Sequence, residues 1–528
     1  MSVPKLIPGN VVAQHNSRES CWIIVHGNVY DVTEFLDEHP GGSKIILKYA
    51  GKDATEEYEP IHPPDAITTH LPNEKHLGPV DSSSVIKVVK EVTREEKDRL
   101  ALFETRPPIS ECLSLHDFET VARQVMPAKA WAYYSSAADD EITSRENHLA
   151  YHRIWFRPRI LRNVSVVDYS TAILGHKSTM PIYITATALG KLGHPDGELN
   201  LTRAAAKKGV IQMIPTLASC SFDEIVDAAE PGQVQFFQLY VNKDRSKTEK
   251  IVRHAEKRGI KGLFITVDAP QLGRREKDMR MSFDDAGAQV QSEEGQSIDR
   301  SQGAAKAITS FIDPSLNWDD IKWFQSITRM PIILKGVQTW EDAVLAVESG
   351  VQGIVLSNHG GRQLEFARSG VEVLEEVVSA LRERNMFPNP RFSIFVDGGV
   401  RRASDALKAI AMGATAVGIG RPFLYAYSAY GQAGVSFIFK SKSRPFLIFH
   451  DCPGVEKALQ ILADEFEMNL RLLGARNLSE VVPAVVDTSS LRNHATSVPE
   501  DHMYGRNYVS MTGPNFRSLS GRGQKSKL

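Results

Sequence analysis

Short apolar runs rich in β-branched residues recur between residues 181 and 423, and helical stretches such as DGELNLTRAAAKKG and RASDALKAIAMG separate them. The eight runs are PIYITATA (from 181), VIQMIPTLA (210), VQFFQLYV (234), GLFITVDAP (262), PIILKGV (331), GIVLSNHGG (353), FSIFVDGGV (392) and AVGIGRPF (416). Eight strand–helix units in about 250 residues predict an α/β fold, a closed parallel TIM (β/α)8 barrel. An open doubly wound sheet is the competing fold, but it more often has about five or six strands.

Polar and charged residues gather where the predicted strands end. They are Thr187, Tyr240, Asp268, Lys335, His359, Arg362, Asp397 and Arg421. The carboxyl ends of barrel strands meet at one face, where barrel enzymes have their active sites. The pattern therefore predicts one site built from several loops.

Three further parts of the chain differ from the barrel in texture. Residues 5–78 are dense in aromatics and histidine, with strand-like runs such as CWIIVHGNVYDV, and predict a small separate domain. Residues 79–109 are charged and polar and end near Pro107 and Pro108, as expected of a linker. The barrel domain then spans 110–490, and its polar stretch at 281–307 predicts a mobile loop. Residues 491–528 form a C-terminal tail.

Composition narrows the classes of function. The 528 residues include 62 basic and 64 acidic residues, a net charge of -2, which does not favour a nucleic-acid or polybasic membrane surface. Four scattered cysteines form neither a disulfide framework nor a CxxC metal pattern, which favours a reducing compartment. No apolar run approaches the roughly 20 residues of a membrane helix.

The chain ends carry one targeting signal. The N-terminal stretch MSVPKLIPGNVVAQHN has neither a signal-peptide apolar region nor an Arg-rich presequence. Ser526, Lys527 and Leu528 match the peroxisomal address. We therefore expect a peroxisomal protein, with the mitochondrial intermembrane space or the cytoplasm as alternatives, because a basic tripeptide also arises by chance.

Two histidines in the small domain could bind one haem iron from opposite faces. His39 precedes Pro40-Gly41-Gly42, and His62 follows 23 positions later. Alone, His39 could be a turn residue. The wider motif CWIIVHGNVYDVTEFLDEHPGG resembles the cytochrome b5 family over residues 5–78, which implies a small α+β haem domain with His39 and His62 as the axial ligands of haem b.

In the barrel, a cluster of arginines, tyrosines and a histidine would suit a small carboxylate. Its members are Tyr133, Tyr240, Arg275, His359 and Arg362. His359 is the candidate base, and Asp268 could stabilise the imidazolium that results. Each residue also has a structural explanation alone: Asp268 could cap a helix, Tyr240 could be core, and Arg275 could pair with Glu276.

The loops after the seventh and eighth strands, DGGVRRASD and GIGRPF, have the glycines and cations of a barrel phosphate site. Arg401 and Arg421 would add positive charge there, and Lys335 could stabilise a negatively charged flavin ring. No strand-linked GxGxxG motif is evident, which counts against a nicotinamide-binding Rossmann domain.

The motifs WAYYSSAADDE, QLYVN, TVDAP, REKD, SNHGGRQL, DGGVRR and GRPFLY together resemble the FMN-dependent 2-hydroxy acid dehydrogenase family over residues 110–490. The resemblance implies His359 as the catalytic base, with Asp268 and Tyr240 also in the catalytic group, and Tyr133, Tyr240, Arg275 and Arg362 on the substrate. It assigns FMN to Thr185, Ala186, Thr187, Ala188, Gln238, Thr266, Lys335, Ser357, Asp397, Gly398, Gly399, Val400, Arg401, Gly420 and Arg421.

With a haem domain in front, the resemblance implies oxidation of L-lactate or a similar L-2-hydroxy acid, with electrons passing from FMN to haem b and then to cytochrome c or another acceptor. Ala188 and Leu217 match the side-chain pocket of lactate enzymes, whereas glycolate oxidases usually carry Trp at the Leu217 position. Such a difference in a side-chain pocket changes the free energy that discriminates between two substrates by only about 1–3 kcal/mol. The family is often tetrameric, so a homotetramer is expected.

Two departures and two alternatives stay open. Pro215 stands where the family usually has a serine. Val435 to Gly454 are about 20 residues more than the family pattern has, and we consider the hypothesis that they are an untranslated spacer retained in the gene model. A 2-hydroxy acid oxidase that reduces oxygen to hydrogen peroxide is the alternative enzyme. A haem-binding electron carrier fused to an inactive barrel is the alternative that is not an enzyme.

Overall fold

The structure, a computed structural model, describes residues 6–39, 43–63, 66–85, 93–284, 312–431 and 452–494. Most of the predicted loop 281–307 and of the extra residues 435–454 lies outside these ranges, as do Ser526, Lys527 and Leu528. The four cysteines are free and buried. None of the helices in the described ranges has the length and apolar character that a membrane span requires.

All eight predicted barrel strands are present, and they close into one parallel barrel. Numbering all strands of the chain from its N-terminus, the barrel strands are β8 (Ile182–Ile184), β9 (Ile211–Ile214), β10 (Gln235–Leu239), β11 (Leu263–Thr266), β12 (Ile332–Val337), β13 (Gly353–Leu356), β14 (Ser393–Asp397) and β15 (Ala416–Ile419). Each strand pairs with its sequence neighbours, and β15 closes on β8 through Ile419 and Ile184. The TIM-barrel prediction is confirmed, and the open-sheet alternative is wrong.

Successive side chains of each barrel strand point alternately into the barrel and out toward the helices, which gives the barrel two apolar layers. Tyr183, Phe236, Phe264 and Phe395 point inward and pack together inside the barrel. Their neighbours along the strands, such as Ile182, pack outward against the helices. Because successive side chains of a strand face opposite sides, strands buried on both faces are apolar throughout.

Helices cover the outside of the barrel and precede it. Before and inside the barrel domain they are α5 (Arg94–Glu104), α6 (Leu115–Val125), α7 (Ala128–Ser135), α8 (Ile142–His152), α9 (Leu199–Lys208), α10 (Phe222–Asp227), α11 (Arg245–Lys257), α12 (Glu276–Asp284), α13 (Asp320–Ile327), α14 (Trp340–Glu348), α15 (Gly370–Glu383), α16 (Ala403–Met412), α17 (Arg421–Tyr430) and α18 (Pro453–Leu473). Short 3₁₀ helices lie at Ile109–Glu111, Gly190–Leu192, Leu478–Glu480 and Pro483–Val485, and two small sheets pair β5 (Trp155–Phe156) with β16 (Val486–Asp487) and β6 (Thr171–Ile173) with β7 (His176–Ser178).

The N-terminal domain is a four-stranded sheet with short helices, in the order β1-β4-β3-β2. Its strands are β1 (Ile7–Pro8), β2 (Trp22–Val25), β3 (Asn28–Asp31) and β4 (His76–Asp81). Its helices are α1 (Gly9–Val12), α2 (Ser43–Lys48), α3 (Thr55–Tyr58) and α4 (Ala66–His70), with 3₁₀ turns at Glu34–Leu36 and Asn73–Lys75. Both faces of the sheet bury apolar residues, which gives this domain a core of its own.

The predicted linker contains regular structure. β4 runs to Asp81, and α5 occupies residues 94–104. Thr93 caps α5 by accepting a hydrogen bond from the backbone N–H of Glu96, and acidic residues fill the first turn. None of the α5 residues is fully buried. Its half-buried face combines Glu96 and Arg99 with Leu100 and Phe103, so the helix has no continuous apolar stripe and the sequence pattern indicated only a linker.

Strand β12 has an irregularity at the end that faces the site. Its register with β13 shifts between Lys335 and Val337. Gly336 lies there with φ +118°, and a Cβ at this residue would come 2.5 Å from Cβ of Asp268. The irregularity therefore lets β12 pass very close to the loop after β11.

Candidate active site

One cavity opens at the carboxyl ends of the barrel strands and collects nearly all predicted barrel-site residues. Its lining residues surround about 1060 Å³ of space, part of which is open to solvent. The predicted residues that line it are Tyr133, Thr185, Ala186, Thr187, Ala188, Leu217, Gln238, Tyr240, Thr266, Arg275, Lys335, His359, Arg362, Asp397, Gly398, Gly399, Val400, Arg401, Gly420 and Arg421. Asp268 and Ser357 lie behind this lining, in contact with His359 and Lys335.

The imidazole of His359 is held between two partners. Its Nδ1 lies 3.0 Å from Oδ1 of Asp268, whose side chain is almost fully buried. Its Nε2 lies 3.1 Å from the hydroxyl of Tyr240. A carboxylate on Nδ1 fixes the proton there, so Nε2 is the lone-pair nitrogen that faces the cavity.

Burial and charge set the ionisation of this pair. Burial lowers the pKa of His359, although Asp268 opposes the shift, so the ring is neutral at pH 7. Burial alone would raise the pKa of Asp268, but the interaction with His359, including the hydrogen bond from its ring, and the charge of Lys335 outweigh burial and hold that pKa below its usual value. A neutral imidazole beside an ionised carboxylate has the form of a general base.

A left-handed turn presents His359 to the cavity. Residues 359, 360 and 361 have φ of +60°, +67° and +75° in succession. A Cβ at Gly361 would lie 2.5 Å from the backbone of Ser144, and one at Gly360 would lie 2.9 Å from Arg421. The glycines after the histidine are thus required by both backbone angle and space.

Two arginines lie in the same cavity as the histidine. Arg362 donates through Nη1 to the carbonyl oxygens of Tyr133 and Ser136 at 2.9 and 2.6 Å. Arg275 is 3% exposed, and its buried Nε has no hydrogen-bond partner among the described residues. Burial and the charge of Arg362 lower the pKa of Arg275 to about 10, so it remains a cation. An unpaired buried cation beside a base suits a bound carboxylate.

Arg421 is more tightly anchored than the sequence indicated. Its guanidinium donates to the carbonyl oxygens of Tyr134, Gly360 and Ser136 at 2.8, 2.9 and 2.9 Å. Burial lowers its pKa to about 10, so it is charged at neutral pH. Besides lining the cavity, it ties helix α7 to the loop that carries His359.

Arg401 is buried in the loop after β14. Its Nη2 lies 3.4 Å from Oε2 of Glu119, and its Nε has no hydrogen-bond partner among the described residues. Burying an arginine donor without a partner costs free energy. Nε of Arg401 is therefore suited to donate to an anion bound at the loops that are predicted to hold phosphate.

Lys335 forms a buried ionic cluster on the floor of the cavity. Its Nζ lies 3.1 Å from Oδ2 of Asp397 and 3.1 Å from Oγ of Ser357. Burial alone would lower the pKa of Lys335, but Asp397 and Asp268 raise it above its usual value, so the ammonium is fully formed. Asp397 also has one buried oxygen with no hydrogen-bond partner among the described residues.

The remaining donors and acceptors fit FMN. Gln238 accepts from the backbone N–H of Thr216 and donates to Thr266. The buried hydroxyl of Thr185 has no hydrogen-bond partner in the described part of the chain. A Cβ at Gly420 would lie 3.1 Å from Thr185 and Thr187, so a side chain there would fill the cavity. Unpaired donors beside a space kept open by glycine are the arrangement that a phosphate-bearing cofactor requires.

Apolar side chains line part of the same cavity. Ala188 and Leu217 line it, and Leu217 packs with Tyr240 on a cluster of Ala269, Leu272 and Ile312. Pro215, where a serine was expected, also lines the cavity and offers no backbone or hydroxyl donor.

In the N-terminal domain, His39 and His62 face each other with ring centroids 5.9 Å apart. Nδ1 of His62 lies 3.2 Å from the carbonyl oxygen of Tyr58, which leaves Nε2 for a metal. Burial lowers the pKa of His62 to about 4, so its ring is neutral. Two imidazoles at this spacing fit the two faces of one haem iron.

Sequence patterns missed several residues that shape the site. Asn147 and Asn358 form a buried pair through two amide hydrogen bonds of 2.8 and 2.7 Å. Tyr134 and Leu272 line the cavity, and Glu198 is buried behind it. The position of Asn358 directly before His359 is the one signal that could have drawn attention to it.

Two family models match the chain. The FMN-dependent dehydrogenase model matches residues 122–442, and the cytochrome b5-like heme/steroid binding domain model matches residues 10–81. The chain is 55% identical over 507 residues to an L-lactate dehydrogenase (cytochrome) of Wickerhamomyces anomalus, covering 96% of this chain and 84% of the relative. It is 45% identical over 530 residues to the enzyme of the same name in Saccharomyces cerevisiae, covering 98% and 85%.

Two other comparisons cover mainly the barrel. Glycolate oxidase 3 of Arabidopsis thaliana is 42% identical over 377 residues, covering 70% of this chain and 95% of the relative. A solved structure of a doubly substituted flavocytochrome b2 with pyruvate bound is 45% identical with a TM-score of 0.67, covering 81% of this chain and 99% of that one. The lactate enzymes thus match both domains, whereas the glycolate oxidase matches a length close to that of the barrel domain.

Proposed function

The chain belongs to the FMN-dependent dehydrogenase family, and from that premise we propose that it oxidises L-lactate, or a similar L-2-hydroxy acid, to the 2-keto acid. The observation that carries the proposal is the buried group of His359, Asp268 and Tyr240 in one cavity with Arg275 and Arg362. A base and a cation a few atoms apart match the hydroxyl-bearing carbon and the carboxylate of such an acid.

The residues divide the work as follows. Arg275 and Arg362 bind the carboxylate, and Tyr133 adds a neutral donor. His359 accepts the C2 proton at Nε2, and Asp268 stabilises the imidazolium that forms. Tyr240, 3.1 Å from that nitrogen, orients the substrate hydroxyl.

Cofactor chemistry follows from the two matched domains. When bound, FMN would supply an acceptor for the two electrons and the hydroxyl proton of the substrate, and haem b would supply one-electron transfer to cytochrome c or another acceptor. The FMN residues are those around Lys335, Gln238 and Arg401 together with the loops after β8, β14 and β15. His39 and His62 hold the haem iron.

The visible spectrum of the purified protein, before and after L-lactate is added, tests the proposal. We expect the flavin band to bleach and reduced-haem bands to appear. A colourless protein, or one whose flavin stays oxidised with every L-2-hydroxy acid tested, would contradict it. His359→Gln is the matched variant and should keep both cofactors without bleaching, because it leaves the fold but not the base.

An oxidase that forms hydrogen peroxide is the second candidate, favoured by the similarity to a glycolate oxidase. The two activities differ in their acceptor. Peroxide formation and cytochrome c reduction, measured on lactate and glycolate under air, distinguish them. We expect cytochrome c reduction to dominate, and the facing rings of His39 and His62, with centroids 5.9 Å apart, support a bound haem that would accept the electrons.

We also propose that the protein is a homotetramer. Ile160, Leu161 and Leu472 are 83%, 100% and 69% exposed. The backbone N–H of Arg159 bonds to the carbonyl of Leu473, so the two segments that carry these residues are adjacent. An exposed apolar surface of this kind is typical of subunit contacts. Light scattering should give four times the chain mass, and Leu161→Asp should lower it; a monomer would contradict the proposal.

Peroxisomal localisation is a separate proposal, based on Ser526-Lys527-Leu528 alone. A fluorescent protein fused at the N-terminus should mark peroxisomes, and removing the last three residues should abolish this. A mitochondrial or cytoplasmic signal would support the alternative compartments.

A further inference from the structure

A hydrogen bond joins the haem-binding domain to the barrel. The hydroxyl of Ser219 donates to the carbonyl oxygen of Pro60 at 2.7 Å, and it accepts from the backbone N–H of Lys191 at 3.2 Å. Ser219 has no solvent exposure. Because one partner accepts and the other donates, the direction of the hydroxyl proton is fixed toward the haem-binding domain.

This contact lies close to both proposed cofactor sites along the chain. Pro60 is two residues before His62, and Ser219 is two residues after Leu217, which lines the active-site cavity. Two residues span at most about 7 Å. The hydrogen bond therefore connects the haem ligand to the cavity wall by a short path.

A buried carboxylate fixes the position of Ser219. Glu198 has no solvent exposure, and its Oε1 accepts from the backbone N–H groups of Gly190 at 2.8 Å and Ser219 at 3.0 Å. Its Oε2 accepts from the backbone N–H of Cys220 at 3.1 Å. Hydrogen bonds to a charged acceptor are stronger than neutral ones, so this carboxylate locks the loops after β8 and β9 together.

Two tyrosines brace the same loops from the other side. The hydroxyl of Tyr134 donates to the carbonyl oxygen of Leu189 at 2.6 Å, and that of Tyr427 donates to the carbonyl of Gly190 at 3.1 Å. Leu189 itself has φ +59°, a conformation that needs such support. The barrel thus presents a rigid surface to Pro60.

We propose that Ser219 is a positioning residue that seats the haem-binding domain against the flavin site, with Glu198 holding Ser219 in place. The inference rests on the proposed electron path between the two domains. Electron transfer slows steeply as the distance between centres grows, so loss of this contact should affect transfer to the haem and leave substrate oxidation intact.

The test uses the full-length protein with both cofactors and compares Ser219→Ala with Ser369→Ala. Ser369 is equally buried, and its hydroxyl has no hydrogen-bond partner among the described residues. After rapid mixing with L-lactate, flavin bleaching and haem reduction are recorded separately. For Ser219→Ala we expect unchanged bleaching and haem reduction slowed about threefold to tenfold, as for one lost hydrogen bond. Ser369→Ala should match the unsubstituted protein.

A second measurement does not depend on turnover. Hydrogen–deuterium exchange of the peptide around Pro60 should increase in Ser219→Ala and stay constant in Ser369→Ala. Ser219→Cys, nearly the same size but a weak donor, gives a further variant if alanine impairs folding, and it should slow haem reduction in the same direction.

Three outcomes would overturn the inference: unchanged haem reduction, bleaching slowed by the same factor as haem reduction, or unchanged exchange around Pro60. If L-lactate fails to bleach the flavin of the unsubstituted protein, the proposed function fails instead, and the exchange measurement still decides whether the contact exists.

Discussion

Replacing Asp268 by asparagine removes the charge behind His359 while keeping the size of the side chain. In the structure Oδ1 of Asp268 lies 3.0 Å from Nδ1 of the imidazole, and the side chains are 2% and 19% exposed, so water does not screen the pair. Asparagine can still accept a hydrogen bond from Nδ1, but it cannot stabilise the imidazolium that forms when His359 takes the substrate proton.

The size of the effect follows from that geometry. A hydrogen bond to a charged partner contributes about 1.5–3 kcal/mol, which corresponds to about a 10- to 150-fold lower rate constant. Coulomb attraction at this separation, with an effective dielectric constant near 20, is about 5.5 kcal/mol, which limits the loss to about 10⁴-fold. We therefore expect bleaching to slow by about two orders of magnitude.

Rapid mixing under anaerobic conditions measures the bleaching rate constant directly, without the acceptor steps. Asp313→Asn is the matched control, because Asp313 is a buried carboxylate that pairs with Arg245 at 2.7 Å and does not line the cavity. Its bleaching rate should stay unchanged. An Asp268→Asn protein that bleaches at more than half the original rate would refute the role given to this carboxylate.

Three further predictions concern the same cavity. The bleaching rate should fall as the pH drops through the pKa of His359, because protonation removes the base; burial holds this pKa below its usual 6.5. Asp268→Asn should move the pH at which the rate falls to a still lower value. A move to higher pH would contradict the assignment of His359 as the base. Arg275→Lys should raise the KM for L-lactate about 10- to 150-fold, since a two-pronged buried donor is lost; saturation kinetics measure this, and an unchanged KM would exclude Arg275 from carboxylate binding. Leu217→Trp should change the ratio of kcat/KM values in favour of glycolate over lactate by about 1–3 kcal/mol, because it narrows the space for the substrate side chain. Equal losses of kcat/KM on both substrates would show that Leu217 does not contact the substrate side chain.

The barrel could be predicted from the sequence because its strands are buried on both faces and therefore read as apolar runs. Phe264 and Phe395 illustrate this, since each is inward-facing and flanked by outward-facing apolar neighbours. Helix α5 could not, because Glu96 and Arg99 share its half-buried face with Leu100 and Phe103, so the apolar stripe is incomplete. Local hydrophobic patterns therefore predict elements that have a continuous apolar face and miss elements that do not.

For the site, sequence identified the residues whose chemistry is unusual at a strand end, such as His359 and Lys335. It did not identify those whose importance depends on distant partners. Glu198 is an ordinary helix-adjacent carboxylate until folding brings the N–H groups of Ser219 and Cys220 to it. Arg421 was expected only to add charge. Two of its three bonds to carbonyl oxygens span about 285 positions of sequence and depend on the closed barrel.

At the irregularity in β12, residue 336 has room only for the hydrogen atom of a glycine side chain. At residue 336 a methyl group would collide with the side chain of Asp268, which in turn orients the proton acceptor. A Gly336→Ala change would silence the enzyme from a site that touches neither substrate nor histidine. In a population of related sequences, this position should tolerate no exchange even where neighbouring strand residues vary freely, and an inherited defect there would leave a folded, coloured and inert protein.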